Sequence, residues 1–503
     1  MKRLRSATLE GLDAQPVEVE TTFTKGLPGF QIVGLGSTAI QESRERVKAA
    51  LLTGGFAFPP LKITVNLSPS DLQKNGSHFD LPVALSIALQ NDELDPGDLY
   101  FFGELGLDGT LKETRTIFPL LLSLKNRGLI EKAMVPAASL PRLSLIPGIE
   151  YIGVETLEEA IGICKKEAEP RRVAPAPVPG ETLTVGGVTY HYLTDYPEDF
   201  AEVRGQEVAK RAALIAAAGM HNLLMEGSPG CGKSMIAKRL RHILPPMRLG
   251  EILQATQYAI LGDEEPTFRP LRPYRSPHHS ASKPSIFGGG SGNTPKIGEV
   301  ALAHLGILFF DEFPHFQKSV LEALREPLQD HRVHISRVGA KVAYETRFLF
   351  VAAQNPCPCG NLLSATHPCR CTELEIKRYK NRISDPLLDR IDLYVQMQEP
   401  SPDDAPTLTS AQMHEAVIAT FSRQMARGQS QPNGKLDEKG IDAYCALSEE
   451  ADAVLRKAVA NFGLSHRAVA NAKKVARTVA DLSGSESIEK AHLLEALSFR
   501  RRS

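Results

Sequence analysis

The sequence predicts an α/β fold, and three of its features support that prediction. Short apolar runs with alternating side chains, such as KITVNLSP, are interspersed with runs of helical spacing, such as IFPLLLSLKNRG. Another apolar run, NLLMEG, leads into a glycine-rich loop that is followed by a helical pattern. The last hundred residues are mostly helical in spacing, with a glycine at a suitable helix stop in ADAVLRKAVANFGLSHRAVANAKKVARTVADLSG.

The composition is that of a soluble globular protein. The 503 residues are enough for about three domains. The net charge of −1 gives no global basic field, so contact with nucleic acid would need local basic elements. No apolar run approaches the roughly 18 residues of a membrane span, and no apolar segment follows the basic start MKRLR. We therefore expect a cytoplasmic protein in a reducing environment, without a membrane partner.

Composition divides the chain into four parts. Residues 1–165 mix strand and helix patterns and predict an N-terminal α/β domain. The proline-rich stretch KKEAEPRRVAPAPVPGETLTVGG predicts a semi-extended linker over residues 166–195. We expect a second α/β domain over residues 196–400 and a helical domain over residues 401–503.

The glycine-rich loop has the spacing of a phosphate-binding loop. Four residues separate Gly227 from Gly232, which Lys233 and Ser234 follow. Backbone N–H groups of such a loop surround phosphate oxygens, and the next helix adds positive potential. Lys233 would reach the β- and γ-phosphates of ATP, and Ser234 would bind Mg²⁺. The predicted nucleotide-binding residues are Gly227, Ser228, Pro229, Gly230, Cys231, Gly232, Lys233, Ser234 and Met235.

Two later strand patterns end in the polar side chains that such a site requires. The run ILFF precedes Asp311 and Glu312. Asp311 would complete the Mg²⁺ shell, and Glu312 would orient or deprotonate the attacking water. The run RFLFVAAQ is followed by Asn355, whose amide could bind the γ-phosphate or the water. A solvated strand end and an ordinary turn before proline are the alternatives.

Four of the seven cysteines lie within fifteen residues, at 357–371. Cys357, Cys359, Cys369 and Cys371 form two C-x-C pairs and supply the four soft ligands of a tetrahedral Zn²⁺ site. These pairs are tighter than the usual C-x₂-C, and His367 could replace one cysteine. Free thiols or a disulfide are the alternatives, which a reducing cytosol disfavours. We expect a structural zinc-binding insertion with no open coordination position.

The order of these parts resembles an AAA+ ATPase, and more closely the Mg-chelatase-like family that includes the ComM-type DNA helicases. The resemblance covers almost the whole chain and is carried by strings such as GLPGFQIVGL, ITVNLSPSDLQKNGSHFDLPVAL, RPYRSPHHSAS, NPCPCG and RISDPLLDRID. It implies that Asn355 is the sensor-1 residue. It also implies that Arg390 is an arginine finger acting on a neighbour's nucleotide, and that Arg467 is the sensor-2 residue of a helical lid. A finger in trans implies a ring, and we expect a homo-hexamer; surface salt bridges are the alternative for both arginines.

A basic hairpin is expected just before the Asn355 strand. HRVHISRVGAKVAYE has two strand patterns around a tip that carries Arg337 and Lys341. In the MCM-like branch of AAA+ proteins, which the chain resembles, a hairpin at this place points into the ring pore. The resemblance thus implies that Arg337 and Lys341 bind DNA, whereas a solvated turn is the alternative. An upstream glycine-rich insert resembles that branch's second pore insertion. Its His278 and His279 could be metal ligands, but as a lone pair in a loop they are better explained as polar contacts.

The N-terminal domain resembles the Lon-protease-like domain, but it departs from the Ser-Lys pattern of those peptidases. NGSHFDLPVAL lacks Ser-Ala-Gly, and GTLKETRTIFPLL lacks Gly-Gly-x-Lys. Ser77 and Lys112 are the nearest candidates. We therefore expect a role in ring assembly or DNA handling.

The resemblance implies an ATP-dependent DNA helicase or translocase that promotes branch migration in homologous recombination, such as during natural transformation. The expected partners are single-stranded or branched DNA, further copies of the chain and recombination proteins. A chelatase-type ATPase that remodels a partner protein is the alternative, and DNA-independent ATPase activity would favour it. The missing Ser-Lys pair argues against a third reading, an ATP-dependent protease.

Overall fold

The structure is a computed structural model that describes residues 3–92, 97–170, 177–289, 296–337, 340–364, 366–399, 401 and 404–501. The chain divides into two compact units, Met1–Val178 with Ala259–Phe268, and Pro179–Tyr258 with Arg269–Ser503. Both units combine sheets and helices, which confirms the predicted α/β class. None of the helices in the described ranges has the length and apolar character needed to cross a lipid bilayer.

The first unit is built on a seven-stranded mixed sheet in the order β3-β4-β2-β1-β5-β8-β9, with β6 and β7 as a separate pair. The strands are β1 Arg3–Glu10, β2 Asp13–Thr24, β3 Gly29–Val33, β4 Lys62–Ser68, β5 Leu99–Phe101, β6 Glu104–Leu105, β7 Leu111–Lys112, β8 Lys132–Pro136 and β9 Glu150–Val154. The helices are α1 Thr38–Thr53, α2 Asp80–Ala88, α3 Ile117–Asn126, α4 Leu140–Leu143 and α5 Leu157–Cys164. Helix α2 is buried from Asp80 to Ile87, as its almost uninterrupted apolar sequence requires.

The second unit has a five-stranded parallel sheet in the order β14-β15-β18-β12-β19. The strands of this unit are β10 Glu181–Val185, β11 Val188–Tyr192, β12 Leu223–Glu226, β13 Met247–Arg248, β14 Tyr274–Arg275, β15 Ile307–Phe310, β16 Arg332–Arg337, β17 Ala340–Glu345, β18 Leu349–Gln354 and β19 Leu393–Gln396. Strands β12, β15 and β18 are buried throughout, as expected of a parallel sheet covered on both faces. Their carboxyl ends meet at one edge, and the candidate site lies there.

Helices cover this sheet and form the C-terminal part of the unit. They are α6 Glu207–Gly219, α7 Lys233–Leu240, α8 Leu249–Leu261, α9 Lys283–Phe287, α10 Glu299–Leu302, α11 Lys318–Ala323, α12 Arg325–Asp330, α13 Glu373–Lys380, α14 Asp385–Leu388, α15 Ser410–Ala426, α16 Glu438–Tyr444, α17 Glu449–Phe462, α18 His466–Leu482 and α19 Lys490–Ser498. Helix α17 ends where Gly463 adopts a φ of 58°, the left-handed conformation that suits glycine after a helix.

Part of the stretch predicted as a linker folds as a hairpin. Strands β10 and β11 pair in register around Gly186 and Gly187, whose φ values are 58° and 77°. A two-residue glycine turn matches the twist of a hairpin, and Thr and Val suit its strands. Strand β11 also pairs with β13, and Tyr190 packs edge-on against Phe421. Residues 171–176 of the predicted linker lie outside the described ranges.

A buried ionic cluster joins α15 to α18. Asp481 is 1% exposed and accepts hydrogen bonds from Arg427 at 2.8 and 2.9 Å, from Arg477 at 2.9 Å and from Asn433 at 2.7 Å. One buried carboxylate therefore compensates two guanidinium groups, of which that of Arg477 is buried and that of Arg427 is 25% exposed. Such a cluster is sensitive to the loss of a single partner.

We expect Asp481→Ala to lower the free energy of unfolding by about 3–5 kcal/mol, because it leaves the buried guanidinium group of Arg477 uncompensated and removes the partner of Arg427. Thermal or urea unfolding measures the change. Asp452→Ala is the matched control, since Asp452 pairs with Arg456 at the surface, and its loss should cost about 0.5 kcal/mol or less. Equal effects of the two substitutions would contradict the prediction.

Candidate nucleotide-binding site

The loop between β12 and α7 is held by its glycines and by its own lysine. Gly230 and Gly232 have φ values of 82° and 95°, which glycine adopts without strain. Lys233 is 8% exposed, and its ammonium group donates to the carbonyl oxygens of Gly227 at 2.6 Å and Ser228 at 2.9 Å. The loop therefore curls around the end of the lysine side chain.

The parallel sheet brings two further strand ends to this loop. The Ser234 hydroxyl donates to the Asp311 carboxylate at 2.7 Å, and the Lys233 ammonium donates to the Asn355 side-chain oxygen at 3.2 Å. Glu312 follows Asp311, whose carboxylate accepts the Glu312 backbone N–H at 2.9 Å. Residues from three separate parts of the sequence thus form one hydrogen-bonded set.

A cavity of about 760 Å³ lies over the loop. Six of the nine predicted nucleotide-binding residues line it, as do both carboxylates and Asn355. The other three, Gly227, Ser228 and Cys231, are buried. The Ser234 hydroxyl and the Asp311 carboxylate are hard oxygen donors, which is the ligand type that Mg²⁺ prefers. The residues present therefore fit a nucleotide with its magnesium ion.

One wall of the cavity comes from residues that the sequence analysis did not assign to the nucleotide site. Ser276, Pro277, His278 and His279 line the cavity, and the Nδ1 atom of His279 lies 3.1 Å from the Glu312 carboxylate. His278 instead bonds to the Ser280 hydroxyl at 2.7 Å. Over the described ranges, the side-chain cluster of metal-ligand type is that of the four cysteines, and the polar contacts given for the two histidines are those with Glu312 and Ser280. The string RSPHHSAS drew attention to this segment through the family resemblance, but no sequence pattern near it indicates that His279 lies beside Glu312.

Arg390 and Arg467 lie together outside the cavity. Both guanidinium groups donate to the side-chain oxygen of Gln329, Arg467 at 3.5 Å. Burial, together with the neighbouring Arg467, lowers the pKa of Arg390. Neither arginine lines the nucleotide cavity of its own chain. The structure therefore places the predicted finger and the predicted sensor-2 residue next to each other, outside the cavity over the phosphate-binding loop.

The four cysteines form a compact cluster. Their sulfur atoms all lie within 4.8 Å of one another, and Cys357 is 3.4 Å from Cys359 and 3.7 Å from Cys369. Backbone hydrogen bonds from Asn361 and Arg370 lower the pKa of the Cys359 thiol to about 6. Four sulfur atoms at this spacing, with backbone N–H groups favouring a thiolate, fit a tetrahedral Zn²⁺ ion. His367 bonds to Thr366 instead.

The cysteine segment packs against the nucleotide loop. Gly360, between the two cysteine pairs, has a φ of 83°, and a Cβ atom there would lie 2.7 Å from the Pro229 ring. Helix α13 follows the last cysteine, and its Lys380 lies 3.8 Å from the buried Glu226 carboxylate at the end of β12. The segment from Asn355 to Lys380 thus touches the loop region at both ends and in the middle.

The predicted basic hairpin consists of β16 and β17. Their register pairs Arg337 with Ala340 and Ser336 with Lys341, so both basic residues lie next to the tip. The tip residues 338 and 339, and the side chains of Arg337 and Lys341, lie outside the described part of the structure. The base of the hairpin is packed, with Val333, Ile335 and Tyr344 buried.

In the first unit, Ser77 and Lys112 do not form a hydrogen-bonded pair among the described residues. The Ser77 hydroxyl donates to the Glu104 carboxylate. Glu104 pairs with Lys112 through the β6–β7 register. The Ser77 hydroxyl thus bonds to a carboxylate rather than to a lysine.

Comparisons with known proteins agree with this geometry. The family model described as "Magnesium chelatase, subunit ChlI" matches residues 199–405, "Subunit ChlI of Mg-chelatase" matches 19–139, and "Magnesium chelatase, subunit ChlI C-terminal" matches 407–500. Competence protein ComM of Haemophilus influenzae is 37% identical over 500 residues, which are 97% of this chain and 95% of that protein. The chain belongs to the Mg-chelatase-like ComM family.

Two further relatives also match over almost the whole chain. YifB of Escherichia coli is 37% identical over 97% of this chain and 95% of its own length. A Mycobacterium tuberculosis protein is 35% identical over 99% of this chain and 98% of its own length. These matches confirm the family resemblance, and membership implies the use of ATP and Mg²⁺.

We expect Gly360→Ala to weaken nucleotide binding, although Gly360 does not line the cavity. The new Cβ atom would push the cysteine segment and Pro229 apart, and strain of about 1 kcal/mol corresponds to about fivefold in affinity. Titration with a fluorescent ATP analogue measures the change. Gly428→Ala is the matched control, because its φ is 87° but nothing lies within 4 Å of its Cβ position. Unchanged affinity in Gly360→Ala would contradict the prediction.

Proposed function

We propose that this chain is an ATP-driven DNA helicase or translocase that works as a ring. The observation that carries the proposal is the hydrogen-bonded set of Lys233, Ser234, Asp311 and Asn355 beside one cavity. Phosphoryl transfer needs positioning and charge stabilisation rather than covalent catalysis, and this set supplies both. Family membership supports the same reading of these residues.

Each residue has a separate role in the proposed reaction. Lys233 and the loop N–H groups bind the β- and γ-phosphates of ATP, while Ser234 and Asp311 hold Mg²⁺. An ion held by these two residues would neutralise the negative charge that develops on the phosphates. Glu312 orients or deprotonates the attacking water, and Asn355 binds the γ-phosphate or that water as sensor 1.

The position of the two arginines supports a ring. Arg390 and Arg467 contact Gln329 and do not line the cavity of their own chain. In a head-to-tail ring, an arginine on such a surface can act on a neighbour's nucleotide, and we assign that role to Arg390 and the sensor-2 position of the helical lid to Arg467. We propose a homo-hexamer assembled in this way.

The hairpin β16–β17 is the proposed DNA contact. Arg337 and Lys341 flank its tip, and guanidinium groups hold phosphates without reading sequence. The chain is nearly neutral overall, so the positive charge that binds DNA has to come from a local element. A ring would bring several copies of this basic hairpin together. One relative is named a competence protein. We therefore propose that the protein promotes branch migration in homologous recombination, such as during natural transformation. The proposed partners are branched or single-stranded DNA and recombination proteins, and the proposed location is the cytoplasm.

A protein-remodelling ATPase is the second candidate. All three family models that match carry the description of a magnesium chelatase subunit. In that case a partner protein, rather than DNA, would stimulate ATP hydrolysis.

We also propose that the first unit is a Lon-protease-like domain that serves in ring assembly or DNA handling. We expect no peptidase activity from it, because the Ser77 hydroxyl bonds to Glu104.

We expect protein purified without added metal to carry about one zinc ion per chain, because four cysteine sulfurs match a closed tetrahedral site. Elemental analysis measures it. Cys369→Ser should lose the ion, whereas Cys445→Ser, at a buried cysteine outside the cluster, should retain it. Metal-free wild-type protein would refute the zinc site.

The protein is expected to dissociate a mobile four-way DNA junction when ATP is present. Lys233→Ala should abolish both ATP hydrolysis and junction dissociation. Arg337→Ala should keep ATP hydrolysis and lose junction dissociation, because the DNA grip is lost. Arg332→Ala, at the other end of the same strand, is the matched control and should keep both.

Two outcomes would change the proposal. ATP hydrolysis without any junction activity, and without any response to DNA, would favour the protein-remodelling candidate. Full activity in Arg337→Ala would remove the hairpin from the DNA interface. DNA binding should also weaken steeply as salt is raised if phosphate contacts dominate.

A further inference from the structure

Asn222 lies at the edge of the five-stranded sheet opposite the phosphate-binding loop. It directly precedes β12, which lies between β18 and β19, and it is 6% exposed. Its amide nitrogen donates to the carbonyl oxygen of Arg390 at 2.8 Å, and its amide oxygen accepts the backbone N–H of Phe350 at 3.1 Å. One side chain therefore joins the start of β18 to the segment that leads into β19. Arg390 is the proposed arginine finger, so the inference drawn from these contacts rests on the proposed function.

The hydrogen bonds around the Asn222 side chain require an amide. The Lys435 ammonium group also donates to the amide oxygen, at 3.5 Å, so two donors face that oxygen while a carbonyl group faces the nitrogen. The opposite orientation of the amide would place donor against donor and acceptor against acceptor. A carboxylate has the size of the amide but cannot donate. Asn222→Asp would therefore keep the acceptor for Phe350 and Lys435 and lose the donor to Arg390.

The backbone around Arg390 has further anchors on the same edge of the sheet. The Asn222 backbone N–H donates to the Asp392 carboxylate at 3.0 Å, and the Asn222 carbonyl oxygen accepts the Asp392 N–H at 3.0 Å. Asn471 in α18 donates to the carbonyl oxygen of Asp389 at 3.3 Å. Within this set of contacts, the Asn222 side chain supplies the one to the Arg390 backbone itself.

The guanidinium group of Arg390 is less completely bonded than its backbone. It donates to the Pro386 carbonyl oxygen and to the side-chain oxygen of Gln329. Its Nε atom is buried and has no hydrogen-bond partner in the described part of the chain. A buried donor without a partner costs free energy, which an anion reaching it would recover. The side chain is therefore suited to move onto a phosphate while its backbone stays in place.

We propose that Asn222 is a positioning residue that fixes the backbone of Arg390, so that the guanidinium group can reach the nucleotide of a neighbouring chain. Asn222 does not line the nucleotide cavity and acts through Arg390. A positively charged group stabilises a transition state only if it is held in the right place, and displacement by about 1 Å is costly. The four-residue strand β12 carries the phosphate-binding loop at its other end. One buried strand thus connects the chain's own site to the finger that it presents to its neighbour.

A double-mutant cycle on ATP hydrolysis tests the proposal. Asn222→Asp should lower kcat by about tenfold and change KM for ATP by less than about twofold, because the donor to Arg390 is lost and the phosphate-binding loop is kept. Arg390→Ala should lower kcat by about 10³-fold. Adding Asn222→Asp to Arg390→Ala should cause no further loss, since no finger is left to position. Release of labelled phosphate measures the slow turnover of these variants.

Thr478→Val is the matched control for the loss of a buried polar contact. It keeps the shape of the side chain and removes a buried hydroxyl that bonds to His221 and Asn433. We expect it to lower the melting temperature and to leave kcat unchanged.

Mixed assemblies separate a misplaced finger from a misfolded chain. Glu312→Gln keeps Arg390 but lacks the proposed water-activating carboxylate, whereas Asn222→Asp keeps that carboxylate. An equal mixture of the two should hydrolyse ATP about fivefold faster than the mean of the separate variants, because intact fingers then reach intact sites on neighbouring chains. A misfolded Asn222→Asp chain would give no such gain.

Unchanged kcat in Asn222→Asp, or a further loss when it is added to Arg390→Ala, would overturn the inference. A mixture that reaches only the mean of its components would overturn the claim that Asn222 serves a neighbour's site. Loss of activity in Arg390→Ala but not in Asn222→Asp would refute the role of Asn222 and leave the proposed function standing. Full activity in Arg390→Ala would remove the arginine finger from the proposed function, and this inference with it.

Discussion

The buried ammonium group of Lys233 is the constraint on which the rest of the site depends. A lysine with 8% exposure must replace the water it loses with protein acceptors. Two acceptors are carbonyl groups of its own loop, and the third is the side chain of Asn355. These groups meet because β12 and β18 are parallel neighbours whose last residues, Glu226 and Gln354, are in register.

The same constraint extends outward through the chain that leaves Asn355. The cysteine cluster begins two residues later, Gly360 packs on Pro229, and Lys380 returns to Glu226. A metal ion in the cluster would therefore fix the back of the nucleotide loop without touching nucleotide. On the other side of the cavity, the insert supplies His279 to Glu312 and rests on the hairpin at Gly288. The cysteine segment thus packs against one side of the site, and the insert that contacts β16 lines the other side.

Charge in this protein is placed locally rather than globally. The net charge is −1, yet Arg390 and Arg467 share Gln329, and Arg337 and Lys341 flank the hairpin tip. Two like charges held close together are best stabilised by an anion, which a neighbour's phosphates would supply. Assembly into a ring would turn these small groups of residues into a shared interface and a shared pore.

The sequence by itself determined the features that depend on contiguous residues. The loop from Gly227 to Ser234, the carboxylates at 311 and 312 and the four cysteines have spacings that only a few structures use, so their chemistry could be predicted. The tertiary structure alone decided which distant residues meet. It paired His279 with Glu312, packed Gly360 on Pro229, and separated Arg390 and Arg467 from their own cavity. These contacts arise from sheet register and helix packing over long sequence separations, for which local spacing carries no signal.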